Sequence, residues 1–148
     1  MEERFETFTV LIAKINRNIR RIKTEEMSEM GLKSPHVSCL YYLFKAGALT
    51  STELCDVCEE DKAAISRSVD YLEKQGFIGC ESQAKKRYRA RFFLTEKGKQ
   101  AGKVIAEKID SVLALTSEGL TEEKREIFYQ SLTLISDNLQ KICDKYGE

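Results

Sequence analysis

Three groups of residues in this 148-residue chain could do chemistry by their type and spacing. Lys85, Lys86, Arg87, Arg89 and Arg91 crowd five cations between positions 85 and 91, which suits neutralisation of a phosphate backbone. Ser66 and Arg67 stand together just after Lys62, Ala63 and Ala64. A hydroxyl and a guanidinium beside small side chains can approach a nucleic acid closely, with Arg67 and Lys62 reaching guanine edges or phosphates and Ser66 serving either. Cys55-Asp-Val-Cys58 has the C-x-x-C spacing shared by redox and zinc sites. On a helix, however, that spacing simply sets two small apolar side chains one turn apart. A tetrahedral zinc site needs four good ligands, and here there is one His and no second C-x-x-C, so packing is the expected role and no metal is expected. Cys39, with His36 one turn earlier, is the better-placed sensor thiol, although a buried small side chain is its simpler role. His36 beside Pro35 reads as a surface residue.

The charge around these groups is uneven. Lys+Arg and Asp+Glu each number 24, for a formal net charge of 0. Yet residues 61–100 hold 10 basic against 5 acidic side chains, while 1–60 hold 8 against 10 and 101–148 hold 6 against 9. Such a basic island repels itself unless an anion meets it, and a phosphate backbone is the commonest such anion; the plainer reading is a solvated basic hairpin. With 42% hydrophobic and 32% charged residues, one Pro and eight Gly, the chain suits one globular domain with little linker. Its first stretch, MEERFETFTVLIAKINRNIRR, fits neither a signal peptide nor a membrane span. A cytoplasmic protein without a membrane partner is expected, with its five cysteines reduced. One His and the absence of G-x-x-x-x-G-K-[ST] and G-x-G-x-x-G argue against an enzyme, and no cofactor is expected.

The positioning elements follow from periodicity. Phe5, Phe8, Ile12, Ile15, Ile19 and Ile22 step by three and four, one stripe along a long helix. Ser34-Pro35 predicts the cap and first turn of a second helix through about Ala46, with Val37, Leu40, Tyr41, Leu43 and Phe44 available for burial and Gly47 ending it. Thr50-Ser51-Thr52-Glu53 predicts the cap region of a short helix, LCDVCEE, that stops near Glu60. In DKAAISRSVDYLEKQGF, Asp61 caps a helix, Ile65, Val69 and Leu72 share one arc, and Gly76 is the exit. The opposite face is Ala63, Ser66, Arg67, Asp70 and Lys74, with Lys62 at its edge. Two such helices make a helix-turn-helix, whose second helix enters the major groove.

FIGCES and RARFFLT then read as strands of a hairpin turning around Gln83 to Arg87. A period of two puts Arg87, Arg89 and Arg91 on one side, and Phe92, Phe93 and Leu94 are expected to anchor the base in the core. The hairpin is a wing whose arginines follow phosphates or enter the minor groove. Val104, Ile105, Ile109, Val112 and Leu113 mark one later helix, and Ile127, Phe128, Leu134, Ile135, Leu139 and Ile142 another after a Thr121 cap.

Three motifs, LTSTELCDVCEEDKAAISRSVDYLEKQGFI, the basic wing and FLTEKGKQ, resemble the MarR (multiple antibiotic resistance regulator) winged-helix transcription factors, over nearly the whole chain. The resemblance implies a mainly α fold with a small β-hairpin wing in a single domain, 1–148. Within it, residues 34–95 would form the winged helix-turn-helix and helices in 1–30 and 96–148 the dimerisation region. It implies a homodimer whose first helix and last two helices interlock, and a Ser66, Arg67 and Arg87 that meet double-stranded DNA. Ser51, Thr52, Lys62, Ala63, Lys85, Lys86 and Arg89 complete the expected DNA-binding set. The family commonly has an Asp before the wing arginine and a second Arg after it, whereas here Lys86 and Tyr88 flank Arg87; diffuse electrostatics is therefore expected of the wing.

Effector pockets in the family lie where the dimer helices meet the winged-helix unit, which implies Asn16, His36, Cys39 and Tyr42 for a small aromatic or phenolic ligand. The function implied is a sequence-specific regulator, a repressor at an inverted-repeat operator, released by such an effector. The alternatives are a winged-helix scaffold for protein or RNA, and a thiol-based redox-sensing regulator. Peroxide-sensing relatives keep a reactive Cys in the first helix, and this chain has none there.

Overall fold

The computed structural model describes residues 2–81 and 89–147, with the side chains of all of these except Glu2, Glu3 and Phe5. The expected wing turn, with Gln83, Lys85, Lys86, Arg87 and Tyr88, lies outside the described residues. Among the described residues six α-helices and three short strands run in the order α1 (Glu2–Glu26), α2 (Ser34–Ala46), β1 (Ala48–Thr50), α3 (Ser51–Cys58), α4 (Lys62–Lys74), β2 (Ile78–Cys80), β3 (Arg91–Leu94), α5 (Glu96–Thr116) and α6 (Glu122–Asp144). By internal packing the chain divides into two compact units, residues 1–109 and residues 110–148. The first holds the helix-turn-helix and its sheet; the second holds the end of α5 and all of α6.

The core of the first unit is built from the arcs that periodicity marks. Leu40 and Leu43 of α2, Leu54 of α3, Ile65 and Leu72 of α4 and Ile105 of α5 are all fully buried, with Met27 and Leu32 closing one end. Each such side chain stabilises the fold by about 1.5–3 kcal/mol relative to exposure. Caps fix where the helices begin. The Thr50 hydroxyl accepts from Glu53 N at 3.2 Å while the Glu53 carboxylate accepts from Thr50 N at 2.7 Å, a reciprocal box that opens α3. The Asp61 carboxylate accepts from Ala64 N at 2.7 Å and opens α4. Thr121 does the same for α6 through Lys124 N at 3.3 Å.

Several boundaries differ from expectation. Ser34 is not the cap of α2 but its first residue; Lys33 is the cap, with its N–H donated to His36 Nδ1 at 3.0 Å. The Ser34 N–H is instead taken by Thr24 Oγ1 of α1 at 3.1 Å, a tertiary bond that local pattern does not foretell. Helix α3 starts three residues earlier than LCDVCEE and ends at Cys58, because Glu59 takes a left-handed conformation with φ 52°. Strand β1 was not expected. It pairs antiparallel with β3, which also pairs with β2, giving the sheet order β1-β3-β2. Along β3 exposure alternates, so Phe92 and Leu94 are buried as expected but Phe93 is not a core anchor. Its ring lies across the sheet over its partner Gly79, where an added Cβ would come within 2.7 Å of it.

The start of α5 is a tight joint. The Phe77 carbonyl accepts from Thr95 N at 3.0 Å and from the Thr95 hydroxyl at 3.1 Å, and Thr95 Oγ1 accepts from Gly98 N at 3.2 Å. Gly98 is buried against that same carbonyl: an added Cβ would stand 2.0 Å from its oxygen. The motif FLTEKG thus ties the end of α4, the base of the wing and α5 together.

Candidate nucleic-acid interface

Helix α4 presents a continuous polar face because Ile65, Ser68, Val69 and Leu72 bury the other one. Lys62, Ala63, Ser66, Arg67, Asp70 and Lys74 are all exposed, as a helix that lies on another surface requires. At the start of α3, Ser51 is half-buried and Thr52 exposed. Ser51, Lys62, Ser66 and Asp70 share the rim of a depression of about 200 Å³ that Val69 and Phe92 floor, so the first turns of α3 and α4 open on the same hollow. The Asp61 carboxylate caps this end of α4 and offsets its positive dipole end, so the positive charge of the face comes from the Lys62 and Arg67 side chains.

The wing contributes Arg89, which is exposed. Arg91 belongs to a different job. Its guanidinium donates to the Ala48 carbonyl at 3.1 Å, bracing β1 against β3. Lys97 likewise donates to the Gln75 carbonyl at 2.6 Å and sits 4.3 Å from the centroid of the Phe77 ring. Of the expected DNA-binding set, Ser51, Thr52, Lys62, Ala63, Ser66, Arg67 and Arg89 are therefore within the described residues, and the first six gather on α3 and α4.

The four residues expected around an effector do not share one environment. Asn16 is exposed on α1, Tyr42 is half-buried on α2, and Cys39 is completely buried. His36 is half-buried rather than a plain surface residue: its ring stacks on Tyr71 of α4 at 4.3 Å, and the Tyr71 hydroxyl donates to the Gly31 carbonyl at 2.7 Å. This latch joins α4 to the turn before α2 and was not expected, since the two partners are far apart in the chain. Among the described residues no group of three or more His, Cys, Asp or Glu could hold a metal ion, and no helix is long and apolar enough to cross a membrane.

The latch has a pH dependence whose sign is fixed. Burial, and next the Lys33 charge, hold the His36 pKa below its usual 6.5 in the folded chain. The unfolded state then takes up the proton more readily, so the stability contributed by neutral His36 is present above pH 6.5 and is lost as the pH falls through the lower folded value. Protonation also removes the Nδ1 lone pair that accepts from Lys33. Thermal unfolding at about pH 8 and about pH 5 should show a larger drop in Tm for the parent than for His36→Gln. Equal drops would remove His36 from the account.

Residues 30–87 match the MarR family, and no curated protein matches the sequence. The fold is similar to that of the transcriptional regulator SlyA (22% identity, 90% of this chain and 94% of that one, TM-score 0.82). It is similar also to a MarR transcriptional regulator from Methanosarcina mazei Go1 (20% identity, 93% and 92%, TM-score 0.80). A third likeness is to MepR of S. aureus in its DNA complex (18% identity, 89% and 97%, TM-score 0.78). The sequence match falls on the helix-turn-helix and the start of the wing, and the structural likeness extends over nearly all of the chain. In its winged-helix core the sequence is thus similar to the MarR family, and throughout its length the fold is similar to that of solved MarR-family regulators.

Proposed function

We propose that the chain is a sequence-specific, double-stranded-DNA-binding transcription regulator that acts as a homodimeric repressor at an inverted-repeat operator. The observation that carries this reading is the exposed Lys62, Ala63, Ser66 and Arg67 row on α4, aimed outward by the burial of Ile65, Val69 and Leu72. MepR, of the same fold, is known in complex with DNA, which supports the same use here. Lys62 and Arg67 would meet guanine edges or phosphates in the major groove, Ser51, Thr52 and Ser66 would fix the register, and Lys85, Lys86, Arg87 and Arg89 would follow the backbone. The exposed isoleucines of α1 and the apolar row of α6 support a second chain as their cover. Release by a small aromatic or phenolic effector, near Asn16 and Tyr42, belongs to the same reading.

Binding sites selected from genomic DNA, then footprinted, test it directly. Arg67→Ala should lose about 1–3 kcal/mol of binding to the selected site with little change on unrelated duplex. Arg87→Ala should weaken both duplexes evenly and flatten the dependence of log affinity on log salt by roughly one unit. Equal losses with unchanged salt slopes would undo this division between helix and wing, and preference for RNA over duplex in a gel shift would undo the function.

A further inference from the structure

One turn along α4 from Arg67 stands Tyr71, which is half-buried against the core. Its ring lies nearly parallel to that of His36 on α2, with centroids 4.3 Å apart and planes 17° from each other. Beyond the ring, the Tyr71 hydroxyl donates to the Gly31 carbonyl at 2.7 Å, 40 residues back in the chain. Gly31 is shaped for that contact. Its φ is 70°, a conformation that favours glycine, and an added Cβ would stand 3.1 Å from the Tyr71 oxygen.

The far side of this latch is itself held in place. In the turn between α1 and α2, the Ser28 carbonyl accepts from Gly31 N at 2.9 Å, and the Met27 carbonyl accepts from Met30 N at 3.1 Å and Leu32 N at 3.2 Å. Met27 and Leu32 are buried in the core, so the Gly31 carbonyl stands on anchored backbone. The His36 ring is oriented in turn by the Lys33 N–H on its Nδ1. On α4, the arc of Ile65, Val69 and Leu72 decides which side faces inward. Apolar contact has no direction, however, and resists rotation of a helix about its axis only weakly. A hydrogen bond and a ring stack at the flank of α4 supply the missing direction.

We propose that Tyr71, gripped by His36 and Gly31, is a positioning residue for sequence reading that fixes the rotation of α4 and with it the place of Ser66 and Arg67 against the bases. The inference rests on the proposed function and concerns specificity alone. Phosphate contacts tolerate a slightly rotated helix, whereas bonds to base edges do not. Loss of the latch should therefore cost affinity for the selected site and spare unrelated duplex. Acid should act in the same sense. Lys33 of the turn and Tyr71 of α4 are the titratable side chains that face the His36 ring, and a protonated Nδ1 cannot accept from Lys33. Burial, and next the Lys33 charge, hold the His36 pKa below 6.5, so the latch is closed near pH 8 and loosens as the pH falls through that lower value.

The test uses the full-length chain, the duplex selected from genomic DNA and an unrelated duplex of equal length. Tyr71→Phe keeps the ring and loses the hydroxyl. The ratio of the two affinities should fall about threefold to tenfold, the scale of one net hydrogen bond, with unrelated duplex bound as before. His36→Gln acts from the other side: its side chain can still accept from Lys33 N, as in a capping box, but cannot stack on Tyr71. It should lower the ratio at about pH 8 and hold it level down to about pH 5, where that of the parent falls. Without DNA and at one pH, amide exchange followed by mass spectrometry should quicken about threefold or more in the second half of α4 in both variants, and stay unchanged in α6. Unchanged exchange in α4, an unchanged ratio for Tyr71→Phe, or equal losses on both duplexes would overturn the proposal. A parent that prefers no duplex, with α4 exchange still quickened by the variants, would undo the proposed function and the reading role of the latch with it.

Discussion

Glutamates placed together at Ile12 and Ile19 are expected to halve the mass of the protein in solution and to weaken operator binding about a hundredfold or more. In a single chain these side chains are 41% and 45% exposed, and Ile15 and Ile22 between and beyond them are 49% and 39% exposed. Four isoleucines at steps of three and four form a seam that water should not cover, and burying each against a second chain gains about 1.5–3 kcal/mol. Two carboxylates in that seam would have to be desolvated without partners, which reverses the gain. The buried core of α2, α3 and α4 is not touched, so the helical content of each chain should persist. Affinity falls because a dimer places its second reading helix at the second half-site already tethered, an advantage of about 10² to 10⁴ that a monomer lacks. Light scattering and gel shift measure the two effects, and Ile135→Glu on α6 gives an independent trial. If the mass stays that of the parent and the operator affinity survives, the isoleucine seam is not the dimer interface.

Gly98→Ala should destabilise the chain by about 3 kcal/mol or more, although alanine is the better helix former by about 1 kcal/mol. The sign is decided by space. The new methyl would stand 2.0 Å from the Phe77 carbonyl oxygen and 3.1 Å from a Leu94 methyl, and the oxygen belongs to backbone held by Thr95. Relief requires α5 to lift from the base of the wing, which breaks the bonds of Thr95 to Phe77 and exposes Ala101 and Ile105 behind them. For a chain of this size the loss corresponds to a Tm lower by about 6–12 °C. Gly147→Ala, with nothing within 4 Å of its added carbon, should leave Tm nearly unchanged. A stabilised Gly98→Ala chain would mean that the joint yields easily and that FLTEKG has no packing role.

Much of this architecture is legible in the sequence because helices announce themselves locally. Asp61 and Thr121 cap where their residue types suggest, and Ile65, Val69 and Leu72 bury as one arc because the helical period leaves them no alternative. What is not legible depends on partners distant in the chain. Ala48–Thr50 has no pattern of its own and becomes a strand only because β3 arrives beside it. Ser34 looks like a cap until Thr24 takes its N–H, and Phe93 looks like core until the alternation of β3 turns it outward over Gly79. At the candidate site, the α4 face is readable residue by residue, whereas the bracing role of Arg91 needs the Ala48 carbonyl to be in place.

Strand β1 closes a ring. Ala48 faces Phe93 and Thr50 faces Arg91, so α3, α4 and β2 all lie on the stretch of chain that three residue pairs seal. Those pairings are remote in sequence, and the entropy of closing a long loop must be lost before they return anything. Helices can form within microseconds from local contacts, but the ring cannot shut until β3 has been made and folded back. During synthesis the seal must therefore await the emergence of β3, whereas α3 and α4 share buried side chains with α2 that are already on the chain by then. The reading unit is in this sense a late product of its own chain, completed by a strand that follows it.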